Sequence, residues 1–254
     1  MMETMVSQRD FITLLGIKID RLDLEGLMKR INKFLKSSQR FKVMYVNIHC
    51  MNAAFKDSEY KKIINSADLV YCDGAGVVIG ASILGLNLPG RMTGADWIYD
   101  LCKICTEKEY SVYLLGGETG IAEDAGNKLV SKFPNLRIVG TFNGHFEESY
   151  NNQVIEKINL TRPDIVLVGM GSPKQEKWIN ENFGKLNAKI VWGIGALMDF
   201  VTGKVSRAPK WMLDNGLEWL YRLIVEPRRL WRRYVLGNPL FFFRILKERL
   251  RGSF

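Results

Sequence analysis

Only two histidines, His49 and His145, occur in the 254 residues, so proton transfer falls first to carboxylates. Asp73, in YCDGAG, closes one apolar run and opens another. A carboxylate there suits a general base at the mouth of a site: burial raises its proton affinity, and a following helix N-terminus opposes the rise. The same place also suits a carboxylate that only stabilises that helix terminus. Asn47 and His49 alternate at the end of VMYVNIH. The Asn47 amide can bond a sugar hydroxyl or a carboxylate, and His49 is either a ligand contact or a satisfied histidine at the core edge. Lys174 and Gln175 follow Pro173 in GMGSPKQEKW. Lys174 can neutralise a phosphate or stand solvated in a first helical turn. Asp96, in RMTGADW, reads as a helix-start residue, and Asp199 as structural or as a hydroxyl contact.

These side chains need elements to hold them. FITLLGIKID predicts two short strands around Gly16, and LEGLMKRINKFLKS has helical spacing. VMYVNI (43–48) predicts a buried strand, NAAFKDSEYKKIINSA a helix, ADLVYCDG a strand and AGVVIGASILG a helix. The alternation runs on through YSVYLLGG, a helix capped by Thr119, LRIVGTFNG, SYNNQVIEKINLT, PDIVLVGMG, a helix with Pro173 in its first turn, and KIVWGIGALMDFV. Alternating strands and helices imply an α/β fold: a mostly parallel sheet with helices on both faces. Ligands of such folds sit at the carboxyl ends of the strands. That rule selects Asn47, Asp73, Gly116, Gly117, Gly144, Gly169 to Gln175 (with Gly171) and Gly193 to Gly195. Glycine after a strand admits close backbone approach, and the next helix offers free N–H groups to an anion. One such turn is ordinary; several at strand exits favour a nucleotide or sugar-phosphate ligand. GxGxxG, GxxxxGK[ST] and GxSxG are all missing, which argues against a dehydrogenase, a P-loop enzyme and an α/β-hydrolase.

Hydrophobic residues make up 47% and charged residues 25%, which excludes a disordered chain. No 18-residue stretch lacks a charge, so a transmembrane helix is not expected. MMETMVSQRD has no apolar core of a signal peptide, so export is not expected and the four cysteines should be reduced thiols. Cys102 and Cys105 fall in a helical segment with no second CxxC, which favours buried thiols over a zinc site. Residues 207–254 carry nine Arg and two Lys against four acids, +7 of the chain's +9. A near-neutral body, 1–205, thus precedes a basic, aromatic appendage, 206–254. Basic plus aromatic means nucleic acid or an anionic membrane surface, with a solvated basic helix as the plain alternative. A nucleic-acid-binding module is the alternative function, but no RNP, KH or helix-turn-helix pattern occurs.

GMGSPKQEKWI, YCDGAG, RMTGADW, VYLLGG and FVTGKVSRAPKWM…GLEWLYRLIVEPRRLWRRY together resemble the WecG/TagA/CpsF glycosyltransferases, glycosyltransferase family 26, over about residues 11–245. The resemblance implies an inverting, metal-independent transfer from a UDP-sugar to a polyprenyl-diphosphate-linked sugar, with no cofactor. It implies work at the cytoplasmic membrane face in wall teichoic acid, enterobacterial common antigen or exopolysaccharide synthesis. It implies a GT-E-like α/β fold whose appendage closes the site and meets the membrane. The family's base falls on Asp73, its Asn on Asn47 and its donor-side glutamine on Gln175. Arg222, Arg229 and Arg232 match appendage arginines that grip a diphosphate, and Arg91 lies in the matched RMTGADW. Teichoic-acid-type members often carry Thr-Pro-Asn where this chain has Tyr45-Val46-Asn47. No DxD occurs, so the arginines and helix N-termini are expected to offset the charge of the leaving UDP. Trp231, Tyr234 and Phe241 to Phe243 are expected at the lipid headgroup boundary. The expected partners are the UDP-sugar, the polyprenyl-diphosphate-sugar and the membrane surface, without nucleic acid; a homo-oligomer is compatible with that reading.

Overall fold

Four short apolar runs, LVYC, SVYLLG, IVLVG and IVWG, are buried along their whole length. Strands covered on both faces require this, and it explains why they show no alternation. The computed structural model describes residues 9–252. The absence of an export signal was read mainly from residues 1–8, which lie outside that range. The strands are β1 (Phe11–Leu14), β2 (Ile17–Asp20), β3 (Phe41–Val46), β4 (Leu69–Cys72), β5 (Ser111–Gly116), β6 (Arg137–Phe142), β7 (Ile165–Gly169) and β8 (Ile190–Gly193). β1 and β2 form an antiparallel pair, and the other six form one parallel sheet in the order β4-β3-β8-β7-β5-β6. Helices surround the sheet, as the alternation predicts. The chain leaves β3 for β4 at one edge, then jumps to β5 and β6 and returns through β7 and β8. The carboxyl ends of β3, β8 and β7 therefore lie side by side in mid-sheet, where crossovers diverge and a crevice opens.

Some boundaries differ from the sequence expectations. The first core strand stops at Val46, because Asn47 caps a helix, Ile48–Lys56. The helix expected over 52–67 is two, broken at Asp57, whose carboxylate accepts from the Glu59 and Tyr60 amides at 3.0 Å each and starts Ser58–Asn65. Gly120, in the left-handed region, precedes helix Ile121–Lys132 in place of the expected Thr119 cap. Cys102 and Cys105 are buried free thiols in helix Gly94–Lys108. Under the sheet's centre Trp97 stacks on Trp192 at 4.0 Å, with Tyr71 edge-on to both.

The C-terminal stretch is helical: Lys210–Asp214, Glu218–Val225, Pro227–Trp231, a π-helical turn Arg232–Leu236, and Gly237–Arg251. The last helix packs on Ile48–Lys56 and Ala75–Ile83. Phe241 and Ile245 are fully buried there. A Cβ on Gly80 would stand 2.7 Å from the Phe241 ring, so the missing side chain makes room for it. Phe241 belongs to the main core and is not available to a lipid surface.

Candidate active site

The N-cap of one helix sets the floor of the crevice. Asn47 Oδ1 accepts from the His49 and Cys50 amides at 3.0 and 3.2 Å. With its carbonyl committed to capping, the Asn47 amide group must point the other way, and Nδ2 donates to Asp73 Oδ2 at 3.2 Å. Asp73 sits one residue beyond β4, and its backbone N–H donates to Val46 O at 2.9 Å, locking the two strand ends together. Burial pushes the Asp73 carboxyl up to about 7. The Asn47 hydrogen bond and the charges of Arg233 and Arg222 oppose the rise, while Glu218 adds to it. Asp73 is therefore poised where a carboxylate can take and release a proton near neutrality. His49 Nε2 lies 3.2 Å from Ser172 O, which can only accept, so Nε2 carries the proton. Burial, then Arg233, holds His49 below its ordinary range and hence uncharged.

Asp73, Asn47 and His49 line a cavity of about 690 Å³ whose opposite wall comes from the C-terminal stretch. Arg222, Arg229 and Arg233 line that wall together with Glu218. Seven residues apart, Arg222 and Arg229 would share a face of one continuous helix. The helix breaks between Val225 and Pro227, and both guanidinium groups instead converge on Glu226, at 3.8 and 2.6 Å. Arg222 Nε and Arg233 Nε are buried donors with no hydrogen-bond partner among the described residues. Three guanidinium groups lining one cavity make it a place for an anion. Arg91 also lines the cavity and links body to appendage, reaching Asp96 at 3.2 Å and Glu218 at 3.5 Å.

The other sequence-selected residues divide into three groups. Gly171 and Gly195 line the cavity with Asp73. Gly116, Gly117 and Gly144 lie together one strand further along, outside its lining. A Cβ on Gly116 would fall 2.4 Å from Gly169 O, and one on Gly144 2.9 Å from Gly116 Cα, so close backbone packing explains both glycines. Lys174 Nζ donates to Gly144 O at 3.1 Å and braces that packing. Pro173 is exposed outside the lining, and Gly193 and Gln175 lie behind the cavity wall: Gln175 is fully buried, and its Oε1 accepts from Gly195 N at 3.0 Å. Arg232 is exposed, with its guanidinium over the Trp231 ring at 5.3 Å, and Arg233 holds the cavity position expected of it. Asp199 does not line the cavity. Reading residues one at a time missed Glu218 and Arg233; alternation of Arg and Glu in EWLYRLIVEPRRLWRR was their only signal.

The model of the WecG/TagA/CpsF glycosyl transferase family matches residues 12–254. The chain belongs to this family. Among WecG/TagA/CpsF relatives, an N-acetylglucosaminyldiphosphoundecaprenol N-acetyl-beta-D-mannosaminyltransferase of Bacillus subtilis (strain 168) is 34% identical over 204 residues, 80% of this chain and 78% of the relative. An enzyme of the same description from Staphylococcus aureus (strain MRSA252) is 28% identical over 242 residues, 94% of this chain and 93% of the relative. In this WecG/TagA/CpsF glycosyltransferase, Tyr45 lines the cavity beside Asn47, its hydroxyl 3.3 Å from Ser172 Oγ.

Proposed function

We propose that this glycosyltransferase moves a sugar, with inversion, from a UDP-sugar to a hydroxyl of a polyprenyl-diphosphate-linked sugar in cell-surface polysaccharide or wall teichoic acid synthesis. The observation that carries the reading is one cavity holding a carboxylate near neutrality opposite three arginines, two of them with unpartnered buried donors. The acceptor oxygen attacks the anomeric carbon, the bond from that carbon to the diphosphate oxygen breaks, Asp73 takes the hydroxyl proton, and UDP leaves as the anion. Asn47 holds the ionised Asp73 in place, and Arg222, Arg229 and Arg233 offset the charge that builds on the leaving group. The relatives' names support N-acetylmannosamine and diphosphoundecaprenol-linked N-acetylglucosamine as the first donor and acceptor pair to try. A screen of UDP-sugars against a short-chain polyprenyl-diphosphate-sugar, scored by product mass, tests the reading; no product from any donor would end it.

Activity should persist in excess EDTA, because the sequence has no DxD and the arginine wall faces the place where a diphosphate would lie. Loss of turnover on chelation, restored by Mg²⁺ or Mn²⁺, would refute the arginine-for-metal assignment.

The reading places the chain on the inner face of the cell membrane, with residues 1–205 as catalytic body and 206–254 as the lipid-facing appendage. No helix among the described residues is long and apolar enough to cross a membrane. Ile224, Trp231, Leu236, Phe243 and Leu250 are exposed on the appendage among Arg228, Arg232, Arg249 and Arg251. Each basic residue near an anionic leaflet contributes about 1 kcal/mol, and exposed aromatics seat at the headgroup boundary. Binding to anionic vesicles should weaken with salt without vanishing. Replacing Trp231 and Phe243 together by Ser should remove about tenfold or more of what salt leaves. Unchanged vesicle binding by that double variant would disprove the lipid-facing role.

A further inference from the structure

Behind the cavity wall lies a buried acid that the transfer chemistry does not use. Glu176 is fully buried, and no ion pair to it occurs among the described residues. Its Oε1 accepts from Ser172 Oγ at 2.7 Å and from Gln175 Nε2 at 2.7 Å. Both donors lead to the cavity. Ser172 lines it, holds His49 through its carbonyl and meets the Tyr45 hydroxyl at 3.3 Å. The other end of the Gln175 amide accepts from Gly195 N, and Gly195 also lines the cavity. We propose that Glu176 is a positioning residue, whose carboxyl fixes the two turns at the ends of β7 and β8 that shape the cavity wall opposite the appendage.

Burial pushes the Glu176 carboxyl up, and the hydrogen bonds from Ser172 and Gln175 oppose the rise. Its second oxygen and the Tyr60 hydroxyl are both buried without a hydrogen-bond partner. They lie near enough that Tyr60 affects the ionisation of Glu176 and Glu176 that of Tyr60. A glutamine in place of Glu176 keeps an oxygen that can accept from Ser172 Oγ and Gln175 Nε2, which yields a sharp test.

The inference rests on the proposed transfer reaction, so turnover and UDP affinity are measured side by side in Glu176→Gln, Glu176→Met and Ser172→Ala. Glu176→Gln keeps the accepting oxygen and should keep kcat/KM and UDP affinity within about threefold. Glu176→Met fills the space without hydrogen bonds. It leaves the buried Gln175 amide and the Ser172 hydroxyl without this acceptor, so its Tm should fall modestly while the chain stays folded. Its kcat/KM should fall about 10²-fold, the effect of a small misplacement at a reacting centre. If Glu176→Met fails to fold, Ser172→Ala decides, with an expected loss of about tenfold at unchanged Tm. A folded Glu176→Met with ordinary turnover, a Glu176→Gln as impaired as Glu176→Met, or a fully active Ser172→Ala would each overturn the proposal. If the unaltered chain turns over no donor yet UDP binding falls in Glu176→Met and not in Glu176→Gln, the transfer reading fails and the positioning role stands.

Discussion

Replacing Asp73 by Asn should cut kcat by about 10²–10⁴-fold while UDP binding survives. The amide is nearly isosteric, and its oxygen can still accept from Asn47 Nδ2, which reaches Asp73 at 3.2 Å. The floor of the cavity therefore keeps its shape, and only the capacity to take a proton is lost. Binding of a diphosphate should not weaken, because the change removes a negative charge from a cavity that Arg222 and Arg233 share with it. The pH profile of the unaltered protein checks the same assignment. Asp73 acts as a base only when ionised, and its carboxyl is pushed up to about 7. Turnover should therefore fall about tenfold per pH unit below that point. Asn47→Ala should move this limb to higher pH, since Asn47 favours the ionised form. Calorimetry with UDP and steady-state rates across pH 5 to 9 separate binding from chemistry. Turnover within tenfold of normal in Asp73→Asn would remove Asp73 as base, and Glu218, the other carboxylate lining the cavity, would replace it as candidate.

Most of the fold was legible because apolar runs and glycine exits are local signals. Each of the six sheet strands overlaps the segment that its residues pointed to, β3 starting two residues early at Phe41 and stopping at Val46. The crevice end of the sheet was legible for the same reason. What was not legible was which strand exits share one cavity, because that depends on strand order, and order is set by long-range pairing. β5 and β7 are sheet neighbours, so the glycines at their ends could stand for a ligand cradle or for backbone packing alone. The distances at Gly116 and Gly144 account for them by packing alone. Gln175 was equally ambiguous: a helix-start amide can face a ligand or turn inward, and here the Gly195 N–H and Glu176 draw it inward. The paired placement of Asn47 and Asp73 could not be read from residues 26 apart in sequence, although each was selected separately.

The arginines show how a local irregularity defeats extrapolation along a helix. From Arg229 one α-helical turn points almost equally to 232 and 233. The chain resolves this with a π-helical turn over Arg232–Leu236, wider than an α turn, directly after the Pro227–Trp231 helix. Arg233 lines the cavity, and Arg232 lies over Trp231 in solvent. Arg233→Ala should accordingly lower kcat/KM by about 10²–10³-fold, the usual effect of removing one preorganised donor from a developing negative charge. It has a second consequence with a definite sign. Arg233 opposes protonation of Asp73, so its loss should move the acid limb of the pH profile upward. Arg233→Lys keeps the charge and should restore that limb, while recovering only part of the rate, because an ammonium cannot reproduce the guanidinium fork. Arg232→Ala should leave turnover on a short-chain soluble acceptor within about threefold and weaken vesicle binding by about 1 kcal/mol. On this proposal the two neighbours divide between the diphosphate and the lipid surface. A reversed pattern, with Arg232→Ala crippling soluble turnover and Arg233→Ala sparing it, would return the diphosphate contact to Arg232 and refute the partition.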